Sequence, residues 1–328
     1  MKVVFFQRKP VPNKNFSIEI LFNQIRANLP KEIESVTEIA NYYSNGFFKR
    51  LYITIDAVFK QGDVNHITGD INFISLFLKK KKTIITFLDL RVLQHPNPIA
   101  RKILTFFWVK IPVWRSGYIT TISAATKKTL LNYMKIEDSK VRVMYIPVAD
   151  LMEYTPKKFD KENITILQIG TKKNKNVLRL IEAIKDIPCK LEIVGVLDSE
   201  QLELLNKHKI NYVNSVNISN EELKEKYIQS DLLAFVSTHE GFGMPIVEAQ
   251  LVGRPVITSN LLSMPEIAGD GARIVDPYNV EEIKNGILKI INDDNFRKTL
   301  VKNGLENAKR FDVKIISNQY ADLYREVY

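Results

Sequence analysis

Short apolar runs rich in Val, Ile and Phe recur along the chain, and each is followed by a segment with helical spacing. In the first half these runs are Lys2–Phe6, Val64–Thr68, Thr83–Leu88, Tyr118–Ile122 and Val141–Ile146. In the second half they are Ile164–Gly170, Lys190–Gly195, Ile210–Val216, Asp231–Ser237, Pro255–Thr258 and Ala272–Asp276. An alternating run would mark a strand with one face in water; a continuous apolar run marks a strand of a parallel sheet covered on both faces. Two such series predict an α/β chain of two doubly wound domains. The polar stretch Pro147–Asn163 carries two prolines and no clear period, which is linker chemistry. The expected domains are therefore 1–155 and 156–311. The closing stretch 312–328 has helical apolar spacing behind a candidate cap, Asp312.

Composition narrows the class. Of 328 residues, 45% are apolar, enough for a packed core and too many for a disordered chain. The lone cysteine, Cys189, excludes a disulfide framework and a cysteine-rich metal site, and fits a reducing, cytoplasmic setting. The apolar run in MKVVFFQRKP is too short for a signal peptide, and no run approaches the ~18 apolar residues of a membrane span. The net charge of +10 favours anionic partners, although lysine is frequent throughout. The run Lys79–Lys82 reads as a solvated helix end before a strand.

In doubly wound domains, ligands lie beyond the carboxyl ends of the strands. That rule singles out Gly170–Asn176 (GTKKNKN), Ser237–Gly243 (STHEGFG) and Ser259–Gly271 in the second half, and Thr68–Asp70 and Asp89–Pro98 in the first. Gly241 and Gly243 permit close backbone approach, and Pro245 suits the first turn of a helix that Gly253 ends. The free amides of such a helix start form an anion site. Glu240 lies just before the helix, and Glu248 about one turn into it, with seven residues between them. Carboxylates repel phosphate but accept well from hydroxyls. Amides for a diphosphate, with one carboxylate for a sugar and one for a ribose, describe a nucleotide-sugar site. Taken alone, a glutamate near a helix start is equally explained by the helix dipole.

The segment STHEGFGMPIVEAQLVGRPVITSNLLSMPEIAGDGARIVDPYNVEEI closely resembles the retaining, family-4 type glycosyltransferases of GT-B fold, also called glycosyl transferases group 1. Their signature of Glu, seven residues and Glu stands here inside an E-G-F-G-x-P-x-x-E-A frame. Ile166–Ile184 is similar to their donor-phosphate loop, and Ile119–Val148 to the strand–helix–strand unit closing their first domain. The resemblance is strong over about 117–328 and weaker before. It implies a first domain for the acceptor, a second for the donor, closure of the cleft between them, and a C-terminal helix that crosses back to the first domain. It also implies catalytic roles for Glu240, on the donor sugar, and Lys175, on the diphosphate. Glu248 is implied on the ribose. Donor contacts are implied from Gly170, Thr171, Lys172, Lys173, His239, Gly241, Phe242, Gly243, Met244 and Pro245.

Three positions depart from the family pattern. Thr171 stands where many relatives have an arginine, which leaves Lys172, Lys173 or Arg254 to supply the second charge. The loop after the first strand, Gln7–Glu19, has no glycine. Leu88 precedes Asp89 where a histidine is frequent, which keeps open a non-catalytic nucleotide-sugar or nucleic-acid binding module. His66, Asp70 and Asp89 stand at strand ends of the first domain and are the acceptor-side candidates, although Asp70 also suits a helix cap. No residue cluster has metal-ligand spacing, and the resemblance implies no cofactor and no metal.

The expected activity is hexosyl transfer from a nucleotide diphosphate sugar to a glycan or lipid-linked acceptor in surface polysaccharide synthesis; nucleic acid is an unlikely partner. Pro96–Arg115 mixes Phe106, Phe107, Trp108 and Trp114 with Arg101, Lys102, Lys110 and Arg115. Such a segment suits an anionic membrane surface, as a peripheral protein would meet it, or a core helix with snorkelling ends.

Overall fold

A computed structural model describes residues 1–10, 17–148 and 152–328. Positions 11–16, within the glycine-free loop, and 149–151, within the linker, lie outside the described residues. The chain divides into two compact units: 1–147 with 312–328, and 148–311.

The first unit holds a six-stranded parallel sheet in the order β2-β1-β3-β4-β5-β6. Its strands are β1 (Lys2–Gln7), β2 (Glu34–Ile39), β3 (Val64–Ile67), β4 (Thr83–Phe87), β5 (Tyr118–Thr121) and β6 (Val141–Val143). Five of them coincide with apolar runs. β2 (ESVTEI) does not: its residues are half-buried or, at Glu34 and Ile39, exposed, because an edge strand is wetted along one side. Helices α1 (Ser17–Ala27), α2 (Phe47–Phe59), α3 (Pro98–Thr105), α4 (Ile111–Arg115) and α5 (Ala124–Tyr133) connect the strands, with a π-helical turn, Phe106–Lys110, joining α3 to α4. The segment after Asp70 is a short 3-10 turn, Asn72–Leu76, rather than a full helix, and the lysine run forms another, Lys80–Lys82.

In the second unit the strands are β7 (Ile164–Ile169), β8 (Cys189–Val194), β9 (Asn211–Ser215), β10 (Leu232–Phe235), β11 (Val256–Ser259) and β12 (Ala272–Val275). They form a parallel sheet in the order β12-β11-β10-β7-β8-β9. The helices are α6 (Val177–Ile184), α7 (Ser199–Lys207), α8 (Asn220–Gln229), α9 (Met244–Val252), α10 (Met264–Ala268), α11 (Val280–Asn292) and α12 (Asp294–Ala308). Apolar clusters cover both faces of this sheet: Ile166, Ile181 and Ile287 on one, Leu167, Phe235 and Val252 on the other. That two-sided burial is why its strands read as unbroken apolar runs.

The last helix, α13 (Val313–Val327), belongs to the first unit. Asp312 caps it by accepting from the Lys314 and Ile315 amides at 2.9 and 3.1 Å. Its Ile316, Tyr320 and Tyr324 pack on Phe5, Phe22 and Val3. The C-terminal stretch thus returns to the N-terminal sheet, as the resemblance implies. Among the described residues, no helix is long and apolar enough to cross a membrane.

Candidate functional site

Strand order locates the crevice. In the second sheet, β7 and β10 are neighbours from which the chain winds away in opposite directions, so their following loops part and leave an opening. The loop after β7 carries Gly170 to Asn176, and the loop after β10 carries Ser237 to Gly243.

The two loops are tied to each other. Asn174 donates through Nδ2 to the His239 carbonyl at 2.9 Å and to Glu240 Oε1 at 3.1 Å, and its own carbonyl accepts from the Thr238 amide at 2.8 Å. Asn176 takes a left-handed φ of 61° and donates from a buried amide group to the Val236 and Pro277 carbonyls. Asparagine tolerates that conformation, and the side chain fixes the turn.

Within this frame Lys175 Nζ meets Glu240 Oε1 at 2.7 Å, with both side chains largely buried. The ammonium also lies 4.6 Å from the centroid of the Phe235 ring. Gly170, at φ 84°, makes room for this: a Cβ there would stand 2.9 Å from the Lys175 Cε. Lys172 and Lys173 are exposed beside it. Thr171 turns away, its hydroxyl donating to the Val196 carbonyl and its carbonyl accepting from Gln201 at 2.7 Å.

The glutamate loop enters α9 through Gly243, at φ 117°, and no side chain caps the helix. Pro245 occupies the first turn and Gly253, at φ 80°, ends the helix. Ser263 Oγ holds the loop from below, donating to the Glu240 and Phe242 carbonyls at 3.1 and 2.7 Å. Phe242 is a buried anchor, its ring edge-on to Phe311. His239, Gly241, Met244 and Pro245 are half-buried, and Gly243 is buried.

Glu248, one turn into α9, is buried, and Tyr227 of α8 donates its hydroxyl to Glu248 Oε2 at 2.6 Å. Burial raises the Glu248 carboxyl above its usual range, while the Tyr227 bond and the Lys175 charge pull it back. Burial, then the carboxylate beside it, pushes the Tyr227 hydroxyl well up, so it stays a donor. Lys175, Glu240 and Glu248 are therefore coupled through space in one unit.

Several expectations need correction. Arg254 is no reserve charge for an anion: its guanidinium is buried and donates to the Tyr227, Ile228, Val252 and Thr155 carbonyls at 2.8–3.1 Å. His66 is not an acceptor-side group but a core residue, fully buried, with Nδ1 2.8 Å from the Tyr324 hydroxyl and Nε2 2.7 Å from Thr86 Oγ1. Burial pushes its pKa down to about 3. A parallel strand hydrogen-bonded on both sides buries even its last residues, which a strand-end rule overlooks. Asp70 caps no helix; it pairs with Arg8 at 2.6 Å and stays exposed. Asp89 accepts from Arg91 Nε at 2.8 Å and from the Arg91 amide at 3.1 Å.

Asn174 and Ser263 lie in loops that the strand-end rule picks out but were not named as site residues, and Tyr227 lies in no such loop. A tyrosine inside an amphipathic helix reads as core, and a loop serine reads as solvent-facing. Only the asparagines, flanking a glycine-started loop, carried a local signal for a fixed turn.

Comparisons with known proteins cover the part of the chain that carries this site. Residues 154–307 match the family model described as Glycosyl transferases group 1. The chain is 35% identical over 108 residues to the O-antigen chain mannosyltransferase B of Escherichia coli, covering 33% of this chain and 28% of that one. It is 26% identical over 249 residues to the O-antigen chain mannosyltransferase RfbU of Salmonella typhimurium, covering 69% of each. The matched segment thus spans little more than a quarter of the first relative. The fold superposes on Alr3699/HepE of Anabaena, solved in complex with UDP and glucose, with a TM-score of 0.79 at 16% identity, over 99% of this chain and 100% of that one. The second unit is a Glycosyl transferases group 1 domain, in a chain of GT-B fold.

Proposed function

We propose that the protein is a retaining glycosyltransferase that moves a hexose from a nucleoside diphosphate sugar to a glycan or lipid-linked acceptor during surface polysaccharide synthesis. The observation that carries this reading is the Lys175–Glu240 pair at 2.7 Å, held at the strand-order reversal beside the uncapped start of α9. A helix start and a fixed ammonium suit a diphosphate, whose charge grows as the bond to the sugar breaks. Glu240 accepts from sugar hydroxyls beside that charge, and Glu248 accepts from the ribose. The exposed Lys172 and Lys173 flank the same anion site. Mannose is the first hexose to test, because the two O-antigen relatives are named for it. Asp70 and Asp89 remain acceptor-side candidates, their charges exposed or half-buried at strand ends.

We further propose that the reaction proceeds without a metal, since Lys175 and the helix dipole place positive charge where a divalent ion would otherwise act. The site is proposed to work in the cytoplasm, peripheral to an anionic membrane.

A thermal-shift panel of nucleoside diphosphates and their sugars tests the donor site. A ligand at ~100 times its dissociation constant adds about 2.7 kcal/mol. The preferred sugar nucleotide is then given to Lys175→Ala with an oligosaccharide acceptor. Turnover should fall more than affinity, because the charge Lys175 meets develops in the transition state. Retention of anomeric configuration is read from the proton couplings of the product. No shift with any nucleotide, or an unchanged turnover in the lysine variant, refutes the reading. Loss of activity on chelation, restored by a divalent ion, refutes the metal-free mechanism alone.

A further inference from the structure

The first unit exposes an apolar face that its core does not use. On α2, Ile53, Thr54 and Ala57 point inward and are buried. The opposite stripe is equally apolar: Phe47, Phe48, Leu51, Tyr52, Ile55 and Phe59 all face solvent. Phe47 is 72% exposed, Phe48 83% and Phe59 85%. Six large apolar side chains at helical spacing form a patch, which scattered surface residues do not. α2 and α4 pack against the same 3-10 turn, Asn72–Leu76, and Arg50 of α2 lies 4.7 Å over the ring of Trp108 in the π-helical turn. The neighbouring α3–α4 region adds exposed Ile99, Ile103, Phe106, Phe107 and Trp114. The same segment also turns Val109 and Val113 into the core, so it has an inward face as well as this outward one.

Charge is distributed to match. Residues 71–136 hold twelve lysines and arginines against a single carboxylate, Asp89, while the whole chain nets +10. The surplus is therefore not spread by composition; it is concentrated in the segment that carries exposed Phe106, Phe107 and Trp114. On α2 itself the lone carboxylate, Asp56, is paired with Lys60 at 2.8 Å.

We propose that α2, together with α3–α4, is the docking face of this protein for an anionic lipid bilayer, with Phe47, Phe48 and Phe59 entering the acyl region and the exposed Lys49, Arg101 and Lys102 on the same helices meeting the headgroups. Apolar insertion and a basic patch are each a weak anchor, and together they hold a protein at a surface. The proposal deepens the acceptor reading above, since a lipid-linked acceptor is presented by a bilayer, but it does not depend on the donor site.

The full chain is sedimented with vesicles of phosphatidylglycerol and phosphatidylcholine in equal parts, and with phosphatidylcholine alone. Binding is expected only to the mixed vesicles. It should fall when salt rises from about 0.1 M to about 1 M, which shortens the screening length from ~10 to ~3 Å. The triple variant Phe47→Ser, Phe48→Ser, Phe59→Ser should bind at least roughly ten-fold more weakly, with a nearly unchanged melting temperature because these side chains are mostly in water and Phe47 and Phe48 meet each other edge-on. In a separate variant, Phe48→Trp, tryptophan emission should shift to the blue and be quenched by brominated acyl chains. No sedimentation at low salt, full binding by the triple variant, or no emission change overturns the proposal. So does a parent dimer that the triple variant dissolves in velocity sedimentation, since the occupant would then be a second copy. Nucleoside diphosphate titration of the same samples keeps the readings apart: parental binding by the triple variant leaves the donor site standing whatever the vesicles show.

Discussion

Each unit has a strand-order reversal, and at each one a cation from one loop meets a carboxylate from the other. In the second unit the pair is Lys175–Glu240, across the loops after β7 and β10. In the first it is Arg8–Asp70, across the loops after β1 and β3, with Arg8 also held by Glu19 at 3.0 Å. The topological places are equivalent, and the environments are not. Lys175 and Glu240 are 18% and 16% exposed, whereas Asp70 is 63% exposed. Beside Lys175 and Glu240 stands a further buried carboxylate, Glu248, with a dedicated tyrosine donor. The first unit offers His66 instead, sealed between Thr86 and Tyr324. An open crevice recurs wherever strand order reverses. Charge held away from water, close to a helix start, does not, and it is what electrostatic catalysis needs.

The sharpest break of this comparison is Glu240→Gln. If the second pair is chemical, transfer should fall by ~10²–10³, the size of one lost transition-state contact. Nucleoside diphosphate affinity should stay level or rise, since a negative charge near phosphate is gone. Parallel calorimetry and a transfer assay separate the two, and parental transfer by the variant would remove Glu240 from the chemistry.

His66→Ala tests the converse. A fully buried, doubly bonded side chain should cost about 2–4 kcal/mol of stability, while the variant, where folded, binds nucleotide as the parent does. The pH dependence has a definite sign. The folded pKa of about 3 lies below the unfolded value of about 6.5. The unfolded chain therefore binds the extra proton first, and stability from this residue is full above pH ~6.5 and lost as pH falls towards ~3. Denaturant melts at pH 7 and 5 should show this slope in the parent and lack it in the variant.

Glu248→Gln should weaken nucleoside diphosphate binding ten- to a hundred-fold, the value of about 1.5–3 kcal/mol for a charge-assisted bond. Stability should move the other way. The Glu248 pKa is raised by burial, so its ionisation works against folding as pH climbs through the folded value. The neutral amide escapes this and still accepts from Tyr227. The variant should thus melt higher than the parent at neutral pH, by roughly 1 kcal/mol, with the gap closing in acid. Tyr227→Phe should cost about five-fold in nucleotide affinity, near 1 kcal/mol, and raise the acid limb of binding. Affinity unchanged in both variants would make the pair a core contact.

Asp70→Asn and Asp89→Asn should change stability least, within about 0.5 kcal/mol, because surface ion pairs contribute little. Transfer kinetics with varied acceptor then decide whether either carboxylate meets the acceptor: a raised acceptor KM at unchanged donor affinity says yes, and parental kinetics say no.

Eleven of the twelve strands, the helix from Met244 and both of its glycine ends were legible in the sequence, because sheets buried on both faces leave unbroken apolar runs and helix ends demand particular residues. The polar edge strand β2 was not, since half its environment is water. The spacing of Glu240 and Glu248 likewise stood in the sequence, as local geometry must: Glu240 in the loop before the helix and Glu248 one turn inside it. What tertiary structure alone decided was which polar groups keep water and which lose it. Lys175 reaches Glu240 across 65 positions, Tyr227 reaches Glu248 from another helix, and Tyr324 closes on His66 from the far end of the chain. Arg254, read as a free charge, spends every donor shown on backbone carbonyls. Burial and partner are properties of packing between distant segments, and the ionic character of each of these groups follows from them.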